Sequence, residues 1–403
     1  MVTDKSLIRI CNGHIITPER IIPNGSLFIK EGRIIEVTDQ NPDVPEAVLL
    51  DAGGRYISPG FIDIHIHGGG GYDFMDNSVK AFLEIARLHA RYGTTSMFPT
   101  TLTGSTADIV KTLETFDQAC HLNESGAQLL GMHLEGPYFA MNQRGAQDPR
   151  YIRDPDPKEY EYILSKSDSI KRWSAAPELK GAISFARYLK SKDVLVSLAH
   201  TDAIYEEVLE AFKNGYTLAT HMYSGMSGVT RRNAFRFAGV IESVFLIDEM
   251  DVEVIADGVH LPAPLLKLIF KIKGPGRIAL ITDAMRAAGM PPGESVIGNL
   301  NTGIKVIVED GVAKLPDRSS FAGSVATADR LVRTMIDLGG VSLADAIQMI
   351  TKTPAEIMHI ADRKGSLSAG KDADIVIFDE NIAIHTTMVK GKVIYASASV
   401  HPA

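Results

Sequence analysis

Cysteine is scarce in this chain. Cys11 and Cys120 are the only two among 403 residues, too few for a disulfide framework and suited to a reducing cytosol. No apolar run approaches the roughly 18 residues of a membrane helix. The N-terminal MVTDKSLIRI lacks a long apolar core and a small-residue cleavage site, so no secretory signal is expected. Basic excess is missing too: 41 Lys and Arg against 49 Asp and Glu leave a net charge of −8, which argues against a nucleic-acid footprint. Repeats, low-complexity tracts and glycine-rich linkers are absent. What remains is ordinary globular composition, 45% hydrophobic and 22% charged, which excludes a largely disordered chain. The length fits two to three units of about 150 residues, or one barrel of roughly 250 residues plus a smaller module. A cytosolic globular protein with neither nucleic-acid nor membrane partners is the expectation.

The two ends of the chain share one texture. Residues 7–57 hold short alternating segments separated by turn dipeptides such as Asn24-Gly25 and Glu31-Gly32. The same pattern returns after residue 366, in DIVIF (374–378) and KVIYA (392–396). Neither end alone has enough strands to bury a core, so residues 1–57 and 366–403 are expected to form one small β-sandwich domain. The middle, 58–365, alternates instead. Apolar, β-branched runs at 61–66, 94–98, 129–134, 172–176, 194–199, 217–220, 252–256 and 277–281 are mostly separated by helical patterns. Eight strands alternating with helices argue for parallel pairing through crossovers, and eight closes a (β/α)8 barrel of the TIM type. A doubly wound open sheet is the alternative.

Polar residues fall at the ends of those runs. His65 and His67 end the first (FIDIHIHG), Glu135 the third (MHLEGP), His200 the fifth (LVSLAHTD), His221 the sixth (LATHMY) and Asp283 the eighth (ALITDAM). In a barrel the C-terminal strand ends form the mouth, so these six side chains would converge on one rim. Imidazole and carboxylate are ligands for zinc and similar divalent ions. His65 and His67, two apart on a strand, point to one face. A lone His-x-His is as often structural as it is a ligand pair; the whole set at strand ends is not. Asp283 is a metal ligand, a general base or both, against the bland reading of a cap for a helix starting at Ala284. His260, just beyond the seventh run, is placed to touch substrate, and His133 to be internal. Gly68–Gly71 reads as permissive backbone. His14, His89, His121, His359, His385 and His401 read as structural or surface residues.

These residues carry a resemblance. PGFIDIHIHG after an N-terminal β segment, with AGKDADIVIFD near the end, resembles the amidohydrolase superfamily. HLEGPY at 133–138, LAHTDA at 198–203, THMY at 220–223, ADGVH at 256–260 and TDAM at 282–285 are together similar to the N-acetylglucosamine-6-phosphate deacetylases, over nearly the whole chain. The resemblance implies that Glu135, His200 and His221 hold one metal, and that His65 and His67 hold a second with Glu135 bridging. It implies metal-assisted hydrolysis of an acetamide, with Asp283 accepting a proton and then passing it to the departing nitrogen. Gln147 and His260 match substrate-holding positions, and Arg232 matches an arginine that grips phosphate. A homodimer is implied as well. Zinc, iron, manganese and cobalt all suit such donors.

The chain departs from the family pattern beside the sixth-strand histidine. Tyr223-Ser224-Gly225-Met226 replaces Phe/Tyr-Asn-Ala-Met, removing an amide that helps bind the sugar phosphate. TRRNAFRFAG at 230–239 lacks the usual arginine-glutamate-proline-glycine. The expected reaction is deacetylation of N-acetyl-D-glucosamine 6-phosphate. A related amidohydrolase acting on another N-acetylhexosamine or N-acyl compound, and a non-catalytic sugar-phosphate sensor, are its rivals.

Overall fold

The computed structural model describes residues 6–397; His401 lies outside them. Eight parallel strands form the barrel: β1 Phe61–Ile66, β2 Thr94–Thr101, β3 Met132–Glu135, β4 Ile170–Ala175, β5 Leu195–Leu198, β6 Tyr216–Ala219, β7 Asp251–Val254 and β8 Ile278–Leu280, and a ninth, two-residue strand of the same sheet, Gln128–Leu129, lies beside β2. Each pairs with its sequence neighbour from β1 to β8. The seam between β8 and β1 is closed just past the end of β8. Asp283 N–H donates to the His65 carbonyl at 3.0 Å, and His67 N–H to that of Ala284 at 2.9 Å. Asp63 of β1 adds a side-chain stitch, accepting the Thr282 hydroxyl at 2.5 Å. The barrel, not the open sheet, is the architecture.

Helices cover the outside because their apolar positions recur at helical spacing. In α1 (Val79–Ala90), Ala81, Phe82, Ile85, Ala86, His89 and Ala90 are buried. α2 (Thr106–Leu122) starts at Ser105, whose hydroxyl accepts from Asp108 N–H. α3 (Pro157–Leu164) starts at Asp156 with proline in its first turn. α4 to α7 follow at Ala182–Ser191, Tyr205–Lys213, Val240–Leu246 and Ala263–Lys273.

Both termini contribute to one eight-stranded mixed sheet. Its order is Lys392–Ala396, Ile384–Val389, Ile375–Phe378, Tyr56–Pro59, Ile8–Ile16, Ile21–Lys30 and Arg33–Thr38, with Val48–Asp51 beside Ile8–Ile16. Two parts of this sheet meet across the fold: Ala373, just before Ile375–Phe378, donates its N–H to the carbonyl of Gly32, just before Arg33–Thr38, at 2.8 Å. One apolar cluster, including Ile10, Leu27, Ile34, Ile57, Ile375 and Met388, fills the fold between them. Tyr56–Pro59 leads directly into β1, so the terminal sheet anchors the strand that carries His65 and His67.

Two additions escape the period-two reading of the middle. A short antiparallel hairpin, Thr230–Arg232 with Phe235–Phe237, follows β6. A four-stranded antiparallel sheet, Gly293–Ile297, Ile304–Glu309, Val312–Lys314 and Phe321–Ser324, is inserted after β8. The inserted sheet borders the barrel mouth.

Candidate active site

The six strand-end residues converge. Glu135 lies at the centre, buried, with its two carboxylate oxygens facing different partners. Oε1 is 2.9 Å from His221 Nε2 and 3.3 Å from His200 Nε2. Oε2 is 3.4 Å from His67 Nε2 and accepts the Gln147 amide at 2.8 Å. Gln147 is fixed in that orientation because its own carbonyl accepts Thr103 N–H at 2.8 Å. His65 Nε2 stands 3.3 Å from His67 Nε2, and Asp283 Oδ1 lies 3.1 Å from His67 Nε2 and 3.6 Å from His65 Nε2.

The backbone delivers these groups at a conformational cost. His200, His221 and Asp283 have φ of +47°, +31° and +46°, a left-handed conformation that disfavours side-chain-bearing residues by about 1–3 kcal/mol each. Each stands two or three residues past its strand, and tertiary hydrogen bonds hold it there. Ala140 N–H donates to His200 O (2.9 Å) and Ser324 N–H to Asp283 O (2.8 Å). Asp283 caps no helix, so the bland reading of that residue falls away.

Every imidazole has its Nδ1 assigned. His200 Nδ1 faces the Gln143 carbonyl at 2.7 Å, His221 Nδ1 the Ser224 carbonyl at 3.1 Å and His67 Nδ1 the Thr100 carbonyl at 3.2 Å. His65 Nδ1 faces the Glu253 carboxylate at 3.1 Å. Those acceptors require Nδ1–H, which leaves each Nε2 as a lone pair pointing at carboxylate oxygens. Lone pairs facing lone pairs repel unless a cation or proton lies between them. At His65 burial lowers the pKa, but Glu135 and Glu253 override this and raise it to about 10. Burial acts against ionisation of Glu135 also, yet the surrounding histidines hold its pKa well below the usual range. His65, His67 and Glu135 form one set of converging ligand atoms, and Glu135, His200 and His221 another. Imidazole nitrogens and carboxylate oxygens of this kind suit a divalent ion.

Beneath this rim lies a polar layer of barrel interior that the sequence reading missed. Glu253 of β7 takes His65 Nδ1 on one oxygen and forms a very short contact to Arg172 of β4 through the other. It also accepts His221 N–H at 3.3 Å. Arg172 continues to Ser197 (2.9 Å) and Thr220 (2.8 Å). Burial raises the Glu253 pKa, but Arg172 and His65 overcome this and bring it down to about 2. The signal was present: opposite charges in two apolar strands, IKRWSA and DVEV. His133 is internal as expected, its Nε2 2.6 Å from Ser174 Oγ.

A cavity of about 580 Å³ opens over the centre, within the usual range for small-molecule sites. His67, Glu135, Gln147, His200, His221, Ser224, Gly225, His260 and Asp283 line it. His260 is pinned by Asp257 through Nδ1 at 2.7 Å, which leaves Nε2 for a ligand. A methyl at Gly225 (φ +58°) would sit 2.8 Å from His200 Nδ1 and 3.0 Å from the Gln143 carbonyl. Alanine in the family's pattern thus does not fit here without movement. Arg232 is not brought to the cavity: it is exposed on the hairpin, its guanidinium 5.3 Å from the Phe237 ring centre.

Barrel, strand-end ligands and terminal sheet together define a metal-dependent hydrolase scaffold. A profile of the amidohydrolase family matches residues 56–394, and the chain belongs to that family. It is 34% identical over 388 residues to the N-acetylglucosamine-6-phosphate deacetylase of Bacillus subtilis, covering 95% of this chain and 96% of that one. It is 33% identical over 380 residues to the N-acetylgalactosamine-6-phosphate deacetylase of Escherichia coli O157:H7, covering 94% and 97%. Among solved structures, a Mycobacterium smegmatis deacetylase mutant in complex with N-acetyl-D-glucosamine 6-phosphate superposes with a TM-score of 0.89 at 27% identity, covering 97% and 100%.

Proposed function

We propose that the protein hydrolyses the acetamide of N-acetyl-D-glucosamine 6-phosphate, giving D-glucosamine 6-phosphate and acetate. The convergence of four Nε2 lone pairs, Glu135 and Asp283 at one end of a substrate-sized cavity carries this reading. Glu135, His200 and His221 would hold one ion, and His65 and His67, together with Glu135, a second. When bound, a divalent ion there supplies acidified water and polarises the acyl oxygen. Asp283 receives a proton at its carboxylate and returns it to the amide nitrogen as the C–N bond breaks. Burial would raise the Asp283 pKa, but His67 and His65 lower it, so the carboxylate starts as the base. Gln147 holds Glu135 in register, while His260, Ser224 and Gly225 contact the sugar. Zinc is the ion best suited to these donors, with iron, manganese and cobalt as outcomes of metal analysis.

Acetate release from N-acetylglucosamine 6-phosphate by metal-loaded protein tests this reading, and its absence would overturn it. Chelation should abolish turnover, and readdition of the ion should restore it. The galacto epimer is the second reading, favoured by the relative that acts on it and by Ser224 where the family pattern has asparagine. The chain is read as a cytosolic homodimer. Two unpaired cysteines support the compartment, and sedimentation tests the dimer. Among the described residues no helix is long and apolar enough to cross a membrane.

A further inference from the structure

Two walls of the cavity are tied together from outside it. His260, beyond β7, and Phe321, of the inserted sheet, both line the cavity, and their ring centres lie 4.7 Å apart. His260 is held tightly within its own loop. Asp257 is buried. Its Oδ1 accepts Val259 N–H at 2.9 Å and His260 N–H at 2.8 Å, while Oδ2 takes the ring Nδ1 at 2.7 Å. The place of this carboxylate therefore sets where His260 Nε2 points.

What places the carboxylate is the main chain of the same residue. The Asp257 carbonyl accepts Arg330 Nε–H at 3.0 Å and Nη2–H at 2.6 Å, the two parallel donors of a rigid, permanently charged fork. Arg330 stands on the helix Ala328–Thr334 and is not part of the cavity lining. Its Nη1 donates elsewhere, to the Gly311 carbonyl at 3.2 Å. Gly311 lies in the turn between Ile304–Glu309 and Val312–Lys314 of the inserted sheet. Its φ is +75°, and a Cβ there would stand 3.3 Å from Arg330 Nη2, so the turn fits closely around the guanidinium. One side chain thus grips the His260 loop and the inserted sheet at once.

We propose that Arg330 is a positioning residue for substrate binding: it fixes His260 through the Asp257 main chain and locks that loop to the inserted sheet. This rests on the reading of His260 as a residue that contacts the sugar. In Arg330→Gln, amide exchange of the ligand-free protein should speed up at 257–261 and in the 309–313 turn, and metal content should be unchanged. In the metal-loaded enzyme KM for N-acetylglucosamine 6-phosphate should rise about tenfold or more with kcat within about threefold, the mark of lost binding rather than lost chemistry. Arg330→Lys keeps the charge without the fork and should recover only part of the KM. His260→Gln should raise KM as well, and adding Arg330→Gln to it should cost little more, because residues acting through one contact are not additive. Effects that multiply, or a kcat loss with KM unchanged, overturn the proposal. Unaltered exchange at 257–261 in the folded variant does so too. Should Arg330→Gln fail to fold, Arg330→Lys carries the same cycle. A wild type that releases no acetate, with exchange still loosened in the variant, would sink the deacetylase reading and leave the tie between the two walls standing.

Discussion

The two sides of the Glu135 carboxylate are built on different principles. On the Oε1 side, His200 and His221 sit beyond the ends of β5 and β6 in left-handed backbone, and carbonyls of neighbouring loops orient them. On the Oε2 side, His65 and His67 belong to β1 or immediately follow it, and His65 is oriented by a buried carboxylate that an arginine neutralises. One half of the centre is thus held by loop geometry and strain, the other by a regular strand and a charge network. Glu135 belongs to both sets of converging donor atoms. Glu135→Gln should therefore have the largest effect, emptying both positions and lowering kcat/KM by about a thousandfold or more. Metal counting on purified protein checks it, and a variant that keeps one full ion would break the idea of a shared bridge.

Asp283 separates binding from chemistry. Asp283→Asn should retain most of the metal while kcat falls about 10²- to 10⁴-fold, the usual range for removing a general acid–base. Unchanged turnover would remove Asp283 from the proton path. The charge network is probed next. Glu253→Gln should weaken metal binding on the His65 side by about 10- to 100-fold, the range seen when an orienting partner is lost. It also leaves Arg172 buried without its counter-charge, at about 3–5 kcal/mol. Glu253→Gln with Arg172→Met should recover stability but not affinity. Recovery of both would mean that the pair serves packing alone.

The same contrast decides what could be read from the sequence. The barrel was legible because its strands are short apolar runs at regular spacing, and the converging donor side chains because each ends such a run. His-x-His is visible since two residues on a strand share a face. The orienting carbonyls of Gln143, Ser224 and Thr100 carry no side-chain signature, so no motif announces them. Glu253 and Arg172 did carry one, as buried opposite charges, but their partnership crosses from β4 to β7. The inserted sheet was missed because its strands, such as Ile304–Glu309 and Val312–Lys314, follow a run of loop residues after β8 and break the strand–helix alternation. Arg232 is a residue whose place a motif alone does not give: the residue type fits the task, and in this chain it stands exposed on the hairpin, outside the cavity lining.

The smallest effect belongs to the support of the first-strand side. His89, on α1, donates through Nε2 to the Gly68 carbonyl at 3.0 Å, next to His67. That bond makes Nδ1 a buried lone pair, and no partner meets it among the described residues. Burial pushes the His89 pKa down to about 4, only partly offset by the Gly68 carbonyl and Asp329. An unfolded histidine titrates near 6.5, so between these values the unfolded chain binds the extra proton. Stability from this group is complete above about pH 6.5 and is lost as pH falls toward 4, amounting to about 3 kcal/mol in all. His89→Gln can keep the bond to Gly68 without titrating. Its melting temperature should accordingly fall less than the wild type's between pH 7 and pH 5, with the two curves converging on the acid side. Parallel curves would show that the loop after β1 does not depend on a neutral His89, and that the strand side of the centre stands on Glu253 and Arg172 alone.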